Sequence, residues 1–291
     1  MRCLLLGLVL LFSYSIKTFG QETQPSDDRL KKIVLYGGLG YGASLFTLSQ
    51  AWYKEQGLEN FKFFNDNEEW LQVDKLGHSF STYNLSRINY ELLKNTHLTD
   101  HKAVLWSSAV SSLLLLPVEI LDGFSPDFGF SYGDILANAA GSGLFLGQQL
   151  LWKEQRIKLK WSFHETSLAQ LRPNLLGNGL AEELLKDYNG QTYWLSFDIS
   201  AFAKKSRFPK WLNLAMGYGG QDMVFARNSQ NEAGGFNNFR QYYFGIDFDL
   251  SHIETDKKWL KVLLFVGDMI RLPAPAIEIN KNKIRGRLLY Y

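Results

Sequence analysis

The chain has 291 residues and a formal net charge of +2, which is enough length for one large or two modest domains with a substantial core. The small net charge, and the lack of a basic stripe interleaved with aromatic residues, exclude a typical nucleic-acid-binding protein. Aromatic residues make up 15% of the chain, with 14 Tyr and 8 Trp, a content typical of membrane-interface proteins and also of well-packed cores.

The first 20 residues have the features of a secretory signal peptide. A basic residue precedes an apolar run from Cys3 to Leu11, and the small residues Thr18 and Gly20 precede a predicted cleavage point before Gln21. We therefore predict that residues 1–20 are removed and that the mature protein is exported. Cys3 is the only cysteine and lies too early for a lipoprotein signal, so the mature chain is expected to lack a disulfide and an N-terminal lipid anchor.

A helical region is predicted at residues 33–152, after a polar arm at residues 21–32. The predicted helices cover residues 33–53, 74–93, 102–121 and 132–152. The first contains no charged residue and is long enough to cross the apolar core of a bilayer. Four helices joined by short connections predict a bundle.

These helices predict either a bundle that spans a membrane or one that is seated on it from the periplasmic side. The helix lengths permit spanning. After export, however, Lys31, Lys32 and the basic run at residues 153–160 would lie outside the cytoplasm, against the positive-inside rule. We expect membrane association, with the inner membrane or periplasm favoured over the outer membrane.

The pattern changes after Trp152, where residues 153–160 are expected to form a basic hinge before a smaller α+β region at residues 161–291. Alternation of apolar and polar residues with period two predicts half-buried antiparallel strands. The predicted strands lie at residues 193–202, 212–220, 242–250 and 284–291. A further helix is expected at residues 259–272. The predicted fold is a mainly α, membrane-associated four-helix bundle followed by an α+β region with a few antiparallel strands.

Two stretches of the helical region place polar side chains in or beside apolar helices. They are residues 74–78 (DKLGH) and residues 119–141. Their polar residues are Asp74, Lys75, His78, Glu119, Asp122, Asp127, Asp134 and Asn138. A buried charge costs several kcal/mol unless it is paired, hydrated or bound to a ligand, so these stretches are the best candidates for a functional site.

The positions of these residues predict that they converge. Helical spacing of three or four residues places each pair on one helix face; the pairs are Asp74 with His78, Glu119 with Asp122, and Asp134 with Asn138. In an antiparallel bundle, the second helix starts where the third ends and the fourth starts. We therefore expect the three pairs to lie at the same end of the bundle.

Three interpretations of this cluster stay open. In the first, it is a satisfied polar network, with Asp74 and Asp134 as N-terminal helix caps and the Asp122-Gly123 pair ending the third helix. In the second, a divalent metal ion is held by His78, Asp74, Glu119 and Asp134.

The third interpretation is acid/base catalysis by His78 with Glu119 and Asp122, since crowded carboxylates raise one another's pKa. Four further residues would then bind the ligand; they are Asp74, Lys75, Asp134 and Asn138. The remaining histidines are weaker candidates: His97 and His101 lie four residues apart, whereas His164 and His252 have no partner visible in the sequence.

At these motifs the chain resembles the YfiM-like family, a bacterial group of predicted periplasmic lipoproteins with no established activity. The resemblance covers residues 33–152 and rests on DKLGH, on Glu119-x-x-Asp122-Gly123 and on Asp134-x-x-x-Asn138-x-x-Gly141. The order of motifs is also similar, more distantly, to that of the VanZ-like membrane proteins. The segments FPKWLNLAMGYGG and IRLPAPAIEIN resemble the Bacteroidetes-type version of the first family. The absence of a lipoprotein signal departs from the lipoprotein description.

Two functions follow as hypotheses. The first is a structural or interaction role in the cell envelope, in which the polar cluster orders the bundle. The second is an enzyme or binder that acts on an envelope lipid or glycan headgroup through His78 and the neighbouring carboxylates. Both imply a membrane lipid or another envelope component as partner, and neither involves nucleic acid.

Overall fold

The computed structural model describes residues 27–52, 57–126, 128–203, 207–281 and 283–291. The predicted signal peptide, the first part of the polar arm and Asp127 lie outside the described residues. The chain divides into two units. The first, called the helical unit here, comprises the described residues up to 65 together with residues 81–153 and 255–263. The second, the sheet unit, comprises residues 66–80, 154–254 and 264–291.

Four long helices lie at the predicted positions: α1 (Asp27–Trp52), α2 (Val73–Leu93), α3 (Asp100–Gly123) and α4 (Tyr132–Trp152). Helix α1 begins inside the segment predicted as a polar arm, because acidic residues in a first helical turn are stabilised by the helix dipole. Thr99 and Ser131 are the N-caps of α3 and α4, and each accepts a hydrogen bond from a backbone N–H of the first turn.

Helices α3 and α4 pack closely through serine side chains. The Ser108 hydroxyl donates to the Ser142 carbonyl oxygen at 3.0 Å, and the hydroxyls of Ser112 and Ser142 are 2.7 Å apart. Helix α2 contacts α3 through Asn89, whose side-chain amide donates to the Ser111 hydroxyl at 2.9 Å. A helical N-terminal region is therefore confirmed, whereas its arrangement as a four-helix bundle stays a prediction.

A short parallel strand pair, β1 (Phe63–Phe64) and β2 (Phe130–Ser131), joins the connection between α1 and α2 to the loop between α3 and α4. An aromatic cluster surrounds it, and Phe61 lies in edge contact with Phe63 and Phe124. Gly123 ends α3 against this cluster, where an added Cβ would overlap the Phe61 ring. Helix α3 ends at the Asp122-Gly123 pair, as predicted, but its C-cap is Phe124 in a right-handed conformation, so Gly123 does not form a left-handed cap.

Six antiparallel strands form one sheet in chain order, and they confirm the prediction of antiparallel strands in this region. They are β3 (Ile157–Phe163), β4 (Gln191–Phe197), β5 (Leu212–Gln221), β6 (Phe239–Phe248), β7 (Ala274–Asn280) and β8 (Lys283–Tyr290). The connections contain the short helices α5 (Pro173–Leu176), α6 (Leu180–Lys186), α7 (Ile199–Phe202), α8 (Asn228–Ala233) and α9 (Lys258–Gly267). Strand β3 begins inside the segment that we predicted as a basic hinge.

The two faces of the sheet have the reverse of the usual polarity. Leu195, Met216, Phe244 and Ile277 are cross-strand neighbours on one face, and all four are exposed. On the opposite face the side chains are polar and buried; they include Lys158, Lys160, Ser196, Asn213 and Asp247. The period-two alternation was therefore correctly interpreted as strands, but the buried half of the alternation is the polar half.

Aromatic residues complete the buried face. Trp194 on β4 and Tyr243 on β6 are buried on either side of Gly217 of β5, and Tyr290 from β8 donates a hydrogen bond to the Tyr243 hydroxyl at 2.8 Å. The Tyr290 hydroxyl also lies 3.0 Å from the Thr192 hydroxyl on β4. Side chains from β4, β6 and β8 therefore meet on the buried face of the sheet.

Candidate functional site

A left-handed turn precedes the DKLGH segment and sets the start of α2. Trp70, Leu71 and Gln72 have φ values of 48°, 51° and 64°, a conformation that costs about 1–2 kcal/mol per non-glycine residue. Contacts within the sheet unit stabilise it: the Trp70 N–H donates to the Ala226 carbonyl at 2.8 Å, and the Tyr218 hydroxyl donates to the Leu71 carbonyl at 2.5 Å. Leu71 is also buried in the core of this unit.

Asp74 lies in the first turn of α2 and is surrounded by hydrogen-bond donors. The Tyr188 hydroxyl donates to Asp74 Oδ1 at 2.7 Å, Lys75 Nζ lies 3.1 Å from Oδ2, and His78 Nε2 lies 3.8 Å from Oδ1. Lys75 Nζ also pairs with Asp66 Oδ2 at 2.7 Å. Burial alone would raise the pKa of Asp74, but the charges of His78 and Lys75 and these hydrogen bonds lower it.

Gly77 lies where α2 packs closely against β4. An added Cβ would lie 2.9 Å from the hydroxyl oxygen of Tyr193, a residue of β4 that is itself buried. Phe80, one turn further along α2, packs against the Tyr193 ring with centroids 5.9 Å apart. The glycine of DKLGH is therefore required by packing.

The other predicted site residues lie in the helical unit. Glu119, Asp134 and Asn138 are buried, and Asp122 is half-buried near the end of α3. The predicted capping role of Asp134 is wrong, because Ser131 is the N-cap of α4 and its hydroxyl accepts from the Asp134 N–H at 3.1 Å. Asp74 likewise lies within the first turn of α2 and is not its N-cap.

The predicted set is thus divided between the two units, with Asp74, Lys75 and His78 in the sheet unit and the rest in the helical unit. Their convergence on one site stays a prediction. So do their predicted roles in metal binding, in ligand binding and in acid/base catalysis.

A second polar cluster, which sequence reasoning missed, lies on the buried face of the sheet. Lys158 Nζ donates to Asp249 Oδ1 at 2.6 Å and to Asp268 Oδ2 at 2.9 Å. Lys160 is fully buried, and its Nζ lies 2.7 Å from Asp247 Oδ2 and 3.4 Å from Asp268 Oδ1. Buried charges of this kind persist only when they are paired and hydrogen-bonded, as they are here.

This network extends to a histidine at the surface. His252 Nε2 lies 3.5 Å from Asp198 Oδ2 and 3.9 Å from Asp249 Oδ2, and the two carboxylates are buried. Burial alone would raise the pKa of Asp249, but the neighbouring Lys158 charge and its hydrogen bonds lower it to about 2. His252 was interpreted from the sequence as a lone histidine, so this prediction is corrected.

A groove of about 510 Å³ lies beside the histidine, and both His252 and Asp249 contribute to its lining. Its other walls are largely apolar, with Trp211, Phe248 and Leu272 among them. A concave apolar surface with a few convergent polar groups is a common form of ligand site.

Two signals in the sequence could have indicated this cluster. The run Ile157-Lys158-Leu159-Lys160-Trp161 alternates with period two, which predicts a strand as well as a basic hinge. Asp247 and Asp249 have the same spacing at the end of another predicted strand. Matching the two patterns required the strand register, because β3 and β6 are not neighbours in the sheet.

Residues 62–147 match a family model described as "Predicted periplasmic lipoprotein (DUF2279)". The matched segment contains DKLGH and the residues from Glu119 to Asn138. The match supports an exported, envelope-associated protein of an uncharacterised periplasmic family, whereas the YfiM-like and VanZ-like resemblances stay predictions. No curated protein and no solved structure has significant similarity to the chain.

Proposed function

We propose that the chain is a membrane-associated protein of the cell envelope with a structural or interaction role. The observation that carries this proposal is the exposure of bulky apolar side chains both along α3 and on one face of the sheet. A water-soluble monomer rarely exposes apolar residues in contiguous rows, whereas a protein in contact with lipid does so.

Helix α3 is the strongest support for contact with lipid. Among the described residues it is the one helix long and apolar enough to cross a membrane. Of its most apolar stretch of 18 residues, 28% is buried. Leu105, Trp106, Leu113 and Ile120 are exposed along it. The core helix of a soluble protein would meet the same criterion of length and hydropathy, but its large apolar side chains would be covered.

The sheet supports the same proposal independently. Its exposed face is apolar at Leu195, Met216, Phe244 and Ile277, while the buried face carries the charged network. Strands that are apolar outside and polar within follow the pattern of strands that face lipid.

The structural part of the proposal rests on DKLGH. Both oxygens of Asp74 have donors within its own unit, and Gly77 is needed for the contact of α2 with Tyr193. These contacts account for Asp74, Lys75 and Gly77 through packing and hydrogen bonding, without a substrate.

The membrane proposal is tested by flotation of the purified chain with phosphatidylethanolamine–phosphatidylglycerol vesicles. Leu113 is exposed in the apolar part of α3, so Leu113→Asp is expected to weaken vesicle binding about 100-fold, since a central Asp costs about 2.5–3.5 kcal/mol in lipid. The matched control is His101→Asp, which places the same side chain at an exposed position in the first turn of the same helix. Failure of the wild-type chain to float, or equal effects of the two substitutions, would contradict the proposal.

A further inference from the structure

We propose that Asp198, Asp249 and His252 bind a divalent transition-metal ion of the Zn²⁺ type beside the groove of the sheet unit. The three side chains come from the residue preceding α7, the residue following β6, and the turn after it. They offer two carboxylate oxygens and one imidazole nitrogen, all within 4.8 Å of one another. Mixed imidazole and carboxylate ligands suit Zn²⁺ and its neighbours better than Mg²⁺ or Ca²⁺.

The distances require little rearrangement. Zn²⁺ binds oxygen and nitrogen at about 2.0–2.2 Å, so two of its ligands in a tetrahedral arrangement lie about 3.5 Å apart. The His252 nitrogen lies 3.5 Å from one carboxylate oxygen and 3.9 Å from the other. The two carboxylate oxygens lie within 4.8 Å of one another, so small movements of the carboxylates and of the partly exposed His252 side chain would bring the three atoms around one ion.

Each carboxylate is already oriented for this role. The Ser200 hydroxyl and the Ala201 N–H donate to Asp198 Oδ1, which leaves Oδ2 on the side of His252. Asp249 Oδ1 accepts from Lys158 and Ser251, and Oδ2 again faces His252. Outer hydrogen bonds that fix one oxygen and present the other are characteristic of metal-binding carboxylates.

Asn213 provides a second, independent indication of a ligand. This residue is fully buried on β5, and its Nδ2 lies 3.4 Å from Asp249 Oδ2. Within the described part of the chain its Oδ1 has no hydrogen-bond partner. This oxygen belongs to the same amide group as the Nδ2 that contacts Asp249, so it can accept a hydrogen bond from a water molecule near the ion.

The charge of the network also favours a cation. The buried carboxylates of Asp198, Asp247, Asp249 and Asp268 stand against the two ammonium groups of Lys158 and Lys160. Arg271 adds one positive charge, but its guanidinium donates to backbone carbonyls, including those of Ile246 and Ala274. A negative excess remains among these side chains, and it lies next to His252.

The groove would give a ligand access to such an ion. Because Asp249 and His252 line it, an ion held by them would be reachable from the groove. Three protein ligands leave a fourth position open on Zn²⁺, as in sites that bind an exogenous ligand. The apolar walls around Trp211 and Phe248 suit an amphipathic molecule with an anionic group.

The test is Zn²⁺ titration of the full chain, purified in detergent and stripped with a chelator, by calorimetry and by elemental analysis after dialysis. We expect one Zn²⁺ per chain. His252→Ala and Asp198→Asn are each expected to weaken binding about 100-fold or more, because loss of a direct ligand exceeds the 10–100-fold effect of an outer-sphere partner. Circular dichroism of each variant checks that it is folded.

His101→Ala is the matched control, since it removes an exposed histidine of the helical unit and should leave binding unchanged. His78→Ala tests the site predicted from the sequence and should also leave this binding unchanged. The proposal is overturned if wild type binds no Zn²⁺, which would make His252 a simple ion-pair partner. It is equally overturned if His252→Ala and Asp198→Asn bind as wild type does, or if binding is lost in His78→Ala.

Discussion

Gly77 illustrates how much a single position in the DKLGH segment contributes to the fold. From the sequence, Asp74 and His78 were predicted to be functional residues, and Gly77 lies between them. In the structure the glycine permits α2 to approach β4, because the Tyr193 hydroxyl occupies the space of a Cβ. Tyr193 cannot move away easily, since it is buried and its hydroxyl donates to Gln191 Oε1 at 2.7 Å.

Gly77→Ala is therefore expected to lower the free energy of unfolding by about 1–3 kcal/mol, the range for overpacking in a well-packed core. Denaturant unfolding in detergent measures it. In a Tyr193→Phe background the cost should be smaller, because the overlapping hydroxyl is absent. Gly143→Ala on α4 is the control: its Cβ would meet no atom within 4 Å, so it should be neutral or slightly stabilising. Equal costs at both glycines would refute the packing explanation.

At the scale of elements, the sheet is held together by ion pairs on the face that most sheets fill with apolar side chains. Strand β3 contributes Lys158 and Lys160, and the acidic partners come from β6 and from the segments that follow β6 and α9. Since these partners are far apart in the chain, the pairs connect strands that have no shared backbone ladder. Removal of one charge leaves the others buried without compensation.

Lys160→Met is expected to cost about 3–5 kcal/mol of stability, because Asp247 and Asp268 lose a fully buried partner. Thermal and urea unfolding measure the loss. Lys94→Met serves as the control, since Lys94 is exposed and pairs with Glu91 on the helix surface, where such pairs contribute less than about 1 kcal/mol. A loss below about 1 kcal/mol for Lys160→Met would show that the buried pairs do not hold the sheet.

Strand β7 gives the sheet a defined response to acid. Burial alone would raise the pKa of Glu278, but hydrogen bonds from Arg287 and Gln241 and the Arg287 charge lower it. The unfolded chain then takes up a proton more readily than the folded one. The stabilisation is thus present in full above the ordinary glutamic acid pKa of about 4.3 and is lost as the pH falls through the lowered value in the folded state.

Urea unfolding between pH 7 and pH 3 tests this sign. Wild type should lose stability in the acidic part of the range, and Glu278→Gln should lose less, because the variant has no carboxylate to protonate at this position. A parallel decline of the two proteins would show that Glu278 does not contribute to the acid response.

For the whole molecule, the cellular location that the family match supports is consistent with the apolar residues exposed on its surface. The family match to residues 62–147 supports an exported, envelope-associated protein. The apolar residues exposed on α3 and on the sheet explain, in our proposal, how such a protein stays at a membrane. The proposed cation site is independent of this, since it depends on the buried face of the sheet.

Long elements were predictable because their signals are local. Helix α4 begins and ends where the sequence placed it, since an apolar pattern of helical period is bounded by Ser131 at its start and by a basic segment at its end. The strands β5 and β6 were predictable from alternation alone. Such patterns depend on residues close in the chain.

The ion pairs between strands, and the choice of which sheet face is buried, depend on the tertiary structure. Alternation of apolar and polar residues indicates that a strand has two different faces. Only the strand order places Lys160 against Asp247 and leaves Met216 and Phe244 exposed. Likewise, His252 acquired its acidic neighbours because the end of β6 lies beside Asp198, more than fifty residues earlier in the chain. Export, the helices and the existence of strands were predictable because these properties depend on local composition and on the period of the apolar pattern. Which charges meet, and which face is buried, depend on contacts between distant segments and therefore on the fold.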